Sequence, residues 1–372
     1  MDKFELVIPT AFGIEAIVAR EVRDLGYETT SVEDGRITFL GDVEAICRAN
    51  IWVRSGERVL IKVGEFTAVT FDELFEKTKA LPWSDWLPKN CAFPVKGHSI
   101  RSKLFSISDC QSIIKKSIVD SLGAKYKISW FEEDGETYQI QFNILKDKVT
   151  LTIDTTGMGL HKRGYRPRAN EAPIRETLAS AMVKISNWRA NKPLCDPLCG
   201  SGTIPIEAAM IARNIAPGLY RNFSAEHFGF IPKFLWTDTR EAAEAAIKND
   251  LELNIYAYDI DTNSVELAKE NSRLAKVSEN LKISQMPLIY LNLSESLGVL
   301  ICNPPYGERM GEEHDVADLY KEMGKVFRRL DRWSHYIITS NEKFEVYYGK
   351  RADKKRKLYN GMIKCDYYQY FR

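Results

Sequence analysis

Short alternating apolar runs and helical apolar stripes take turns along the first part of this chain. "FELVIP" (4–9) reads as a strand, and residues 11–26 set Ile14, Ile17, Val18, Val22 and Leu25 on one helical face. "GRITFLG", "VEAICRANIW" and "RVLIKVGEF" then predict strand, helix and strand. Thr70-Phe-Asp-Glu73 has the form of a capping box and opens a helix carrying Leu74, Phe75 and Leu81. "CAFPVKG" predicts a strand, and Ser108-Asp-Cys-Gln111 a second capped helix with Ile114, Ile118 and Leu122 on one face. "YQIQFNIL" and "KVTLTIDTT" close the region as a hairpin. An α+β region of two small modules is expected up to about residue 155.

The pattern changes there. "TTGMGLHKRGYRPRANEAP" is rich in Gly, Pro and basic residues, has little periodicity and reads as a linker, followed by a helix over about 174–189. From "KPLCDPL" onward strands and helices alternate, which predicts a doubly wound parallel sheet, with 214–250 as an insertion. Two β-rich runs around Asn360-Gly361 predict a terminal antiparallel hairpin.

Bulk properties narrow the class only modestly. At 372 residues, two or three domains are expected. No apolar run reaches the roughly 20 residues of a membrane helix. The opening "MDKFELVIPT" lacks the layout of a signal peptide, so a cytoplasmic location is expected. Seven scattered cysteines without a CxxC pair, and five histidines, argue for reduced thiols and against a metal centre. Net charge is only +1, yet bases cluster in three islands. The first holds Lys96, Arg101, Lys103, Lys115 and Lys116; the second holds Lys162, Arg163, Arg166, Arg168 and Arg175; the third is "KRADKKRK" at 350–357. Such islands suit phosphate contact.

The candidate chemistry lies in the alternating half. Asp196-Pro-Leu-Cys-Gly-Ser-Gly-Thr203 follows a short strand and opens a helix. A dinucleotide site would want a third glycine where Pro205 stands, and a P-loop would want GK[ST]. S-adenosylmethionine (SAM) suits the loop better, with Asp196 meeting its ammonium and Cys199, Gly200, Gly202 and Thr203 passing its amino-acid tail. "NIYAYDID" places Asp259 and Asp261 at the tip of the next strand, Asp259 for the ribose hydroxyls and Asp261 also as a helix cap. Further on, "LICNPPYGERMG" ends a buried strand abruptly. The Asn303 side-chain carbonyl and a backbone carbonyl fixed by Pro304-Pro305 can each accept from one N–H of an exocyclic amine. Tyr306 offers a face for stacking.

"DPLCGSGT", "YDID" and "NPPYGER", in this order, resemble the class I SAM-dependent amino-methyltransferases. With "LHKRGYR", "YNGMIKC" and the N-terminal half, the chain resembles the THUMP-domain RNA methyltransferases. These include the bacterial rRNA and tRNA guanine-N2 enzymes, also described as N6-adenine-specific DNA methylases. The resemblance covers almost the whole chain. It implies a ferredoxin-like module at 1–60, a THUMP RNA-binding domain at 61–155, a linker and helix at 156–190, and a Rossmann-like methyltransferase domain at 191–372. It also implies RNA contacts by Lys96, Arg101, Lys103, Lys162, Arg163 and Arg166, and guanine N2 of 23S rRNA as the first expectation. Methylation of tRNA guanine N2, or of adenine N6 in DNA or RNA, stays open on the motif alone, as does a non-catalytic RNA-binding assembly factor. One departure stands out: the run 281–294 has no acid to meet the SAM adenine. Tyr290 occupies the place where the family typically has Asp, and Gln285 or a backbone group would have to substitute.

Overall fold

The computed structural model describes residues 3–167, 174–295, 297–307 and 313–372. The N-terminal half comprises β1 (Phe4–Pro9), α1 (Glu15–Asp24), β2 (Thr29–Glu33), β3 (Arg36–Gly41), α2 (Val43–Trp52) and β4 (Leu60–Thr67), then α3 (Phe71–Lys79), β5 (Val95–Ile100), α4 (Ile107–Tyr126), β6 (Ile140–Leu145) and β7 (Lys148–Asp154). Its seven strands form one continuous sheet, ordered β2-β3-β1-β4-β7-β6-β5. The two modules expected from the sequence therefore share a sheet and a core. β4 is the seam, antiparallel to β1 on one side and to β7 on the other.

Local sequence explains most element boundaries. Asp42 caps α2, its Oδ1 accepting from the Ala45 N–H at 3.0 Å. Thr70 caps α3 as expected, but the Glu73 carboxylate reaches past it to the Val69 N–H. Three expectations shift. α1 begins at Glu15, because Gly13 adopts φ +90° and the chain turns there. α4 is capped by Ser106, two residues before the expected Ser108. β5 starts only at Val95, after Pro94, which has no N–H for a ladder.

The C-terminal half comprises α5 (Glu176–Ile185), β8 (Leu194–Asp196), α6 (Thr203–Ala212), α7 (Lys233–Ala245), β9 (Ile255–Asp259), α8 (Thr262–Leu274), β10 (Leu281–Gln285) and β11 (Gly298–Cys302). It ends with α9 (Glu313–Phe327), β12 (Trp333–Thr339), α10 (Phe344–Tyr348), β13 (Lys354–Asn360) and β14 (Ile363–Tyr370). The sheet order is β10-β9-β8-β11-β12-β14-β13, parallel from β10 to β12 and antiparallel through β14 and β13. The order reverses at β8/β11, which is where such sheets bind ligands at their carboxyl ends.

Two segments do more than the sequence suggested. The described part of the expected linker is packed, with Thr155 and Thr156 bonded to the buried Asn50. Beyond them Arg163 is buried (4% exposed), bonded to the Leu160 and Arg54 carbonyls and ion-paired with Glu207. The insertion sends Phe223, Phe228 and Trp236 into the N-terminal core, while Arg221 donates to the carbonyls of Met158, Gly159 and Lys162. The halves are thus joined by apolar burial and by guanidinium groups gripping backbone.

Glu207 on α6 is the electrostatic centre of this junction. It is fully buried and accepts from Tyr165 Oη at 3.0 Å and from Ser180 Oγ, and it pairs with Arg163 at 3.4 Å. Nearby Arg54 is also buried, and burial pulls its pKa down to about 10. Glu207→Gln leaves buried guanidinium charge uncompensated and is expected to cost about 3–5 kcal/mol of stability. Urea unfolding at unchanged m-value reads this as a lower midpoint; an unshifted midpoint contradicts it.

Candidate functional site

The glycine loop is shaped by two left-handed residues. Gly200 has φ +52°, and Gly202, which caps α6, has φ +81°. A Cβ on Gly202 would lie 3.0 Å from the Ala268 Cβ, so this glycine also lets α6 approach α8. A Cβ on Gly200 would meet nothing within 4 Å, so backbone conformation rather than crowding calls for glycine there. The loop is tied to β9: the Cys199 N–H donates to the Tyr258 carbonyl, and the Gly200 N–H to Asp259 Oδ2, both at 2.8 Å. Cys199 itself is buried, and burial followed by the charge of Asp196 pushes its thiol well above the ordinary range.

Asp196 ends β8 with 1% of its surface exposed. Its carboxylate accepts from the Leu198 N–H at 3.2 Å. Burial first, then the nearby Asp259, raise its pKa well above the ordinary carboxylate value. A buried acid held this way favours a cationic partner. Asp259 is half-buried, its two oxygens accepting from Gly200 and Asp261 N–H groups. A carboxylate has about four acceptor positions, so this leaves capacity for hydroxyl donors. The set fits SAM: an acid for the ammonium, an open glycine turn and a carboxylate at the tip of the second strand.

Other expected ligand residues have different work. Asp261 caps α8, accepting from the Asn263 and Ser264 N–H groups and from Ser264 Oγ. The cap takes three of its roughly four acceptor positions, so the structure shows Asp261 at work as a cap. Thr203 Oγ1 accepts from Arg166 at 2.8 Å. The Gln285 amide donates to the Ile260 carbonyl at 2.9 Å, and Tyr290 is 72% exposed on a turn.

The Asn-Pro-Pro-Tyr stretch leaves β11, whose five residues are all buried between β8 and β12. Leu300 lies opposite Cys195, so Asn303 and Asp196 emerge from the carboxyl ends of neighbouring strands about 4.8 Å apart. Pro304 is buried and Pro305 exposed. The Tyr320 hydroxyl donates to the Pro305 carbonyl at 2.7 Å and so fixes the turn. The Tyr306 ring does not stand open for stacking. It packs against the core beneath β13 and β14, and its hydroxyl donates to Asn303 Oδ1 at 2.6 Å while accepting from Asn360 Nδ2 at 3.4 Å. The hydroxyl therefore takes up one of the two acceptor positions on the Asn303 carbonyl, where the proposed amine would compete with it. Tyr306→Phe keeps the ring and removes this competitor. Its KM for RNA is expected to fall by about fivefold, the value of one neutral hydrogen bond. Steady-state methylation kinetics test this, and abolished transfer would mean that the hydroxyl itself takes part.

The basic islands divide. Lys96, Arg101, Lys103 and Lys162 are exposed, the first three on β5 and the loop after it. Lys115 is drawn to Glu133 and to the Phe93 ring. Arg163 and Arg166 are corrected from surface RNA contacts to internal struts: Arg163 as described above, and Arg166 pairing with buried Glu176 at 3.0 Å. Arg168 and the "GER" residues Glu308 and Arg309 lie outside the described residues. The sequence reading missed β2 and the turn at Ala11–Gly13, which packs on β13; Gly13 was the available signal.

Comparison with known proteins agrees with this arrangement. Residues 163–369 match the RMKL-like methyltransferase domain family, UPF0020. Residues 5–60 match the RlmL ferredoxin-like domain, and residues 68–154 the THUMP domain. "Putative RNA methyltransferase YpsC" of Bacillus subtilis is 49% identical over 100% of this chain and 97% of its own length. "Ribosomal RNA large subunit methyltransferase K/L" of Syntrophotalea carbinolica is 32% identical over 95% of this chain, which spans only 51% of that protein. The crystal structure of the methyltransferase SMU.472, complexed with SAH, superposes with a TM-score of 0.94 at 44% identity, covering 100% of this chain and 98% of that one.

Proposed function

The chain belongs to the RMKL-like methyltransferase family, as a SAM-dependent RNA methyltransferase with a THUMP domain, and from that premise we propose that it methylates the N2 amine of a guanine in large-subunit ribosomal RNA. The observation that carries this reading is the placement of Asn303 at the end of β11, one strand from the buried Asp196. An amine clamp thereby stands beside an ammonium-binding acid, and a THUMP-type sheet is fused to both. The rRNA target rests on the naming of the K/L relative, and guanine N2 on the resemblance of the motifs.

Bound SAM supplies a methyl group already activated by its sulfonium. Asp196 holds the amino-acid end and Asp259 the ribose. Asn303 Oδ1 and the Pro304 carbonyl accept the two N–H groups of the substrate amine. Donating both protons into acceptors raises electron density on nitrogen and orients its lone pair. As the N–CH3 bond forms, the S–CH3 bond would break to leave neutral S-adenosylhomocysteine, and one amine proton would leave for water. Alignment of this kind lowers the barrier without a strong base.

Nucleoside mass spectrometry of 23S rRNA and tRNA from a strain lacking the gene tests the reading. It should show one N2-methylguanosine lost from 23S rRNA. Loss from tRNA, or loss of N6-methyladenosine, would move the target, and an unchanged profile would overturn the proposal.

A further inference from the structure

The turn between β1 and α1 brings an aromatic ring from the N-terminal half to the rim of the active site. Phe12 is 51% exposed, and its ring lies 5.8 Å from that of Tyr359 on β13. Tyr359 immediately precedes Asn360, whose amide reaches Tyr306 and, through it, Asn303. Tyr359 and Asn360 face opposite sides of β13, so the aromatic pair lies one residue along the strand from the Asn360–Tyr306 contact and around the strand from it.

Its position is fixed. The Glu15 carboxylate accepts from the Gly13 N–H at 2.9 Å and from the Gly35 N–H at 3.1 Å, clamping the turn from both sides. A Cβ on Gly13 would lie 2.3 Å from the Lys357 carbonyl, so the turn rests directly on β13. Phe12 is exposed and Tyr359 half-buried, and rings held in place lose little entropy when a flat group stacks on them.

Charge surrounds the rings. In the β13–β14 ladder Tyr359 lies opposite Lys364, and Lys357 shares its face two residues away, opposite Asp366. Lys357 and Lys364 are exposed, and neither enters an ion pair among the described residues. Met362 at the hairpin tip is 96% exposed and widens the apolar surface.

We propose that Phe12 and Tyr359, flanked by Lys357 and Lys364, form a shelf that stacks an unpaired nucleobase next to the target nucleotide and holds its phosphates. This rests on the RNA reading above and adds a residue-level partner for it: single-stranded RNA entering the clamp. Stacked bases on aromatic side chains and cations along the backbone are the standard means of holding a single strand without reading its sequence. The chemistry disfavours a duplex, whose bases present no free face.

The test uses the full chain and a short fluorescein-labelled single-stranded RNA of mixed sequence, with the same RNA as a duplex for comparison. Phe12→Leu and Tyr359→Leu keep apolar volume but lose the ring face. Each is expected to weaken single-strand binding by about 5–150-fold, while Tyr359→Phe restores it. The Lys357→Gln, Lys364→Gln double variant should lower the slope of log affinity against log salt by about 1.4. This second readout covers the case in which a ring variant folds poorly. Calorimetric SAM binding should stay at the wild-type value in all variants. Wild-type single-strand affinity in both leucine variants, with an unchanged salt slope, overturns the shelf alone. A wild-type protein that binds SAM but neither binds nor methylates RNA overturns the shelf together with the RNA reading.

Discussion

Asn303→Ala is expected to cut methyl transfer severely while SAM still binds. In the proposed clamp the Asn303 carbonyl accepts from the reacting amine, so its loss acts on the chemical step. Removing one preorganised hydrogen-bond partner at a reacting atom lowers kcat by about 10²–10³-fold. The protein scaffold should not register the change. Asn303 is half-buried at a strand end, and the Tyr306 hydroxyl that donates to it keeps its contact with the Asn360 amide. Asn303→Gln should lose nearly as much, because the extra methylene carries the carbonyl out of line, and misplacement by about 1 Å costs on the order of 10². Single-turnover transfer from labelled SAM, with SAM affinity measured separately, gives the answer. Wild-type turnover in Asn303→Ala would remove the clamp from the mechanism.

Asp196→Asn should uncouple stability from ligand binding. In the ligand-free protein Asp196 is buried and its pKa raised, so the folded state holds its proton more tightly than the unfolded chain. For such an acid, stability falls as pH rises from the unfolded value, near 3.8, through the higher folded value. Above the unfolded value, burying Asp196 therefore costs the empty protein stability, and Asn relieves that cost. The difference in Tm between variant and wild type should be positive at pH 7 and shrink as pH falls towards the ordinary carboxylate range. SAM affinity should move the opposite way. Truncating one partner of a buried charge pair costs about 2–5 kcal/mol, or about 30- to 4000-fold in Kd. Thermal melts across pH and calorimetric titration check the two arms. A destabilised variant with intact SAM binding would show that Asp196 serves the fold and not the ligand.

Legibility from sequence followed the range of the interactions involved. The helix of residues 43–52 and the hairpin of β13 and β14 are set by local periodicity and turn chemistry, and both were readable. The Asp-to-Gly loop and the Asn-Pro-Pro-Tyr turn were readable too, because each is contiguous and carries its own backbone constraint. Arg163 and Arg166 were misread as phosphate contacts. Charge in a sequence looks alike whether it meets water or a buried Glu207 or Glu176. Of the two roles expected of Asp261, its bonds to the start of α8 show the cap.

The sequence by itself determined the order of elements, the strand-end positions of Asp196, Asp259 and Asn303, and the class of ligand they suit. Periodicity and turn residues act over a few neighbours, so they survive in one dimension. Tertiary structure alone decided that the two N-terminal modules share one sheet through β4, that the insertion seals the junction, and that Glu207 neutralises an internal arginine. It also decided that the Tyr306 hydroxyl bonds to Asn303 and that Phe12 meets Tyr359. Each depends on contact between segments far apart in the chain, where packing and desolvation, not local preference, determine what a side chain touches.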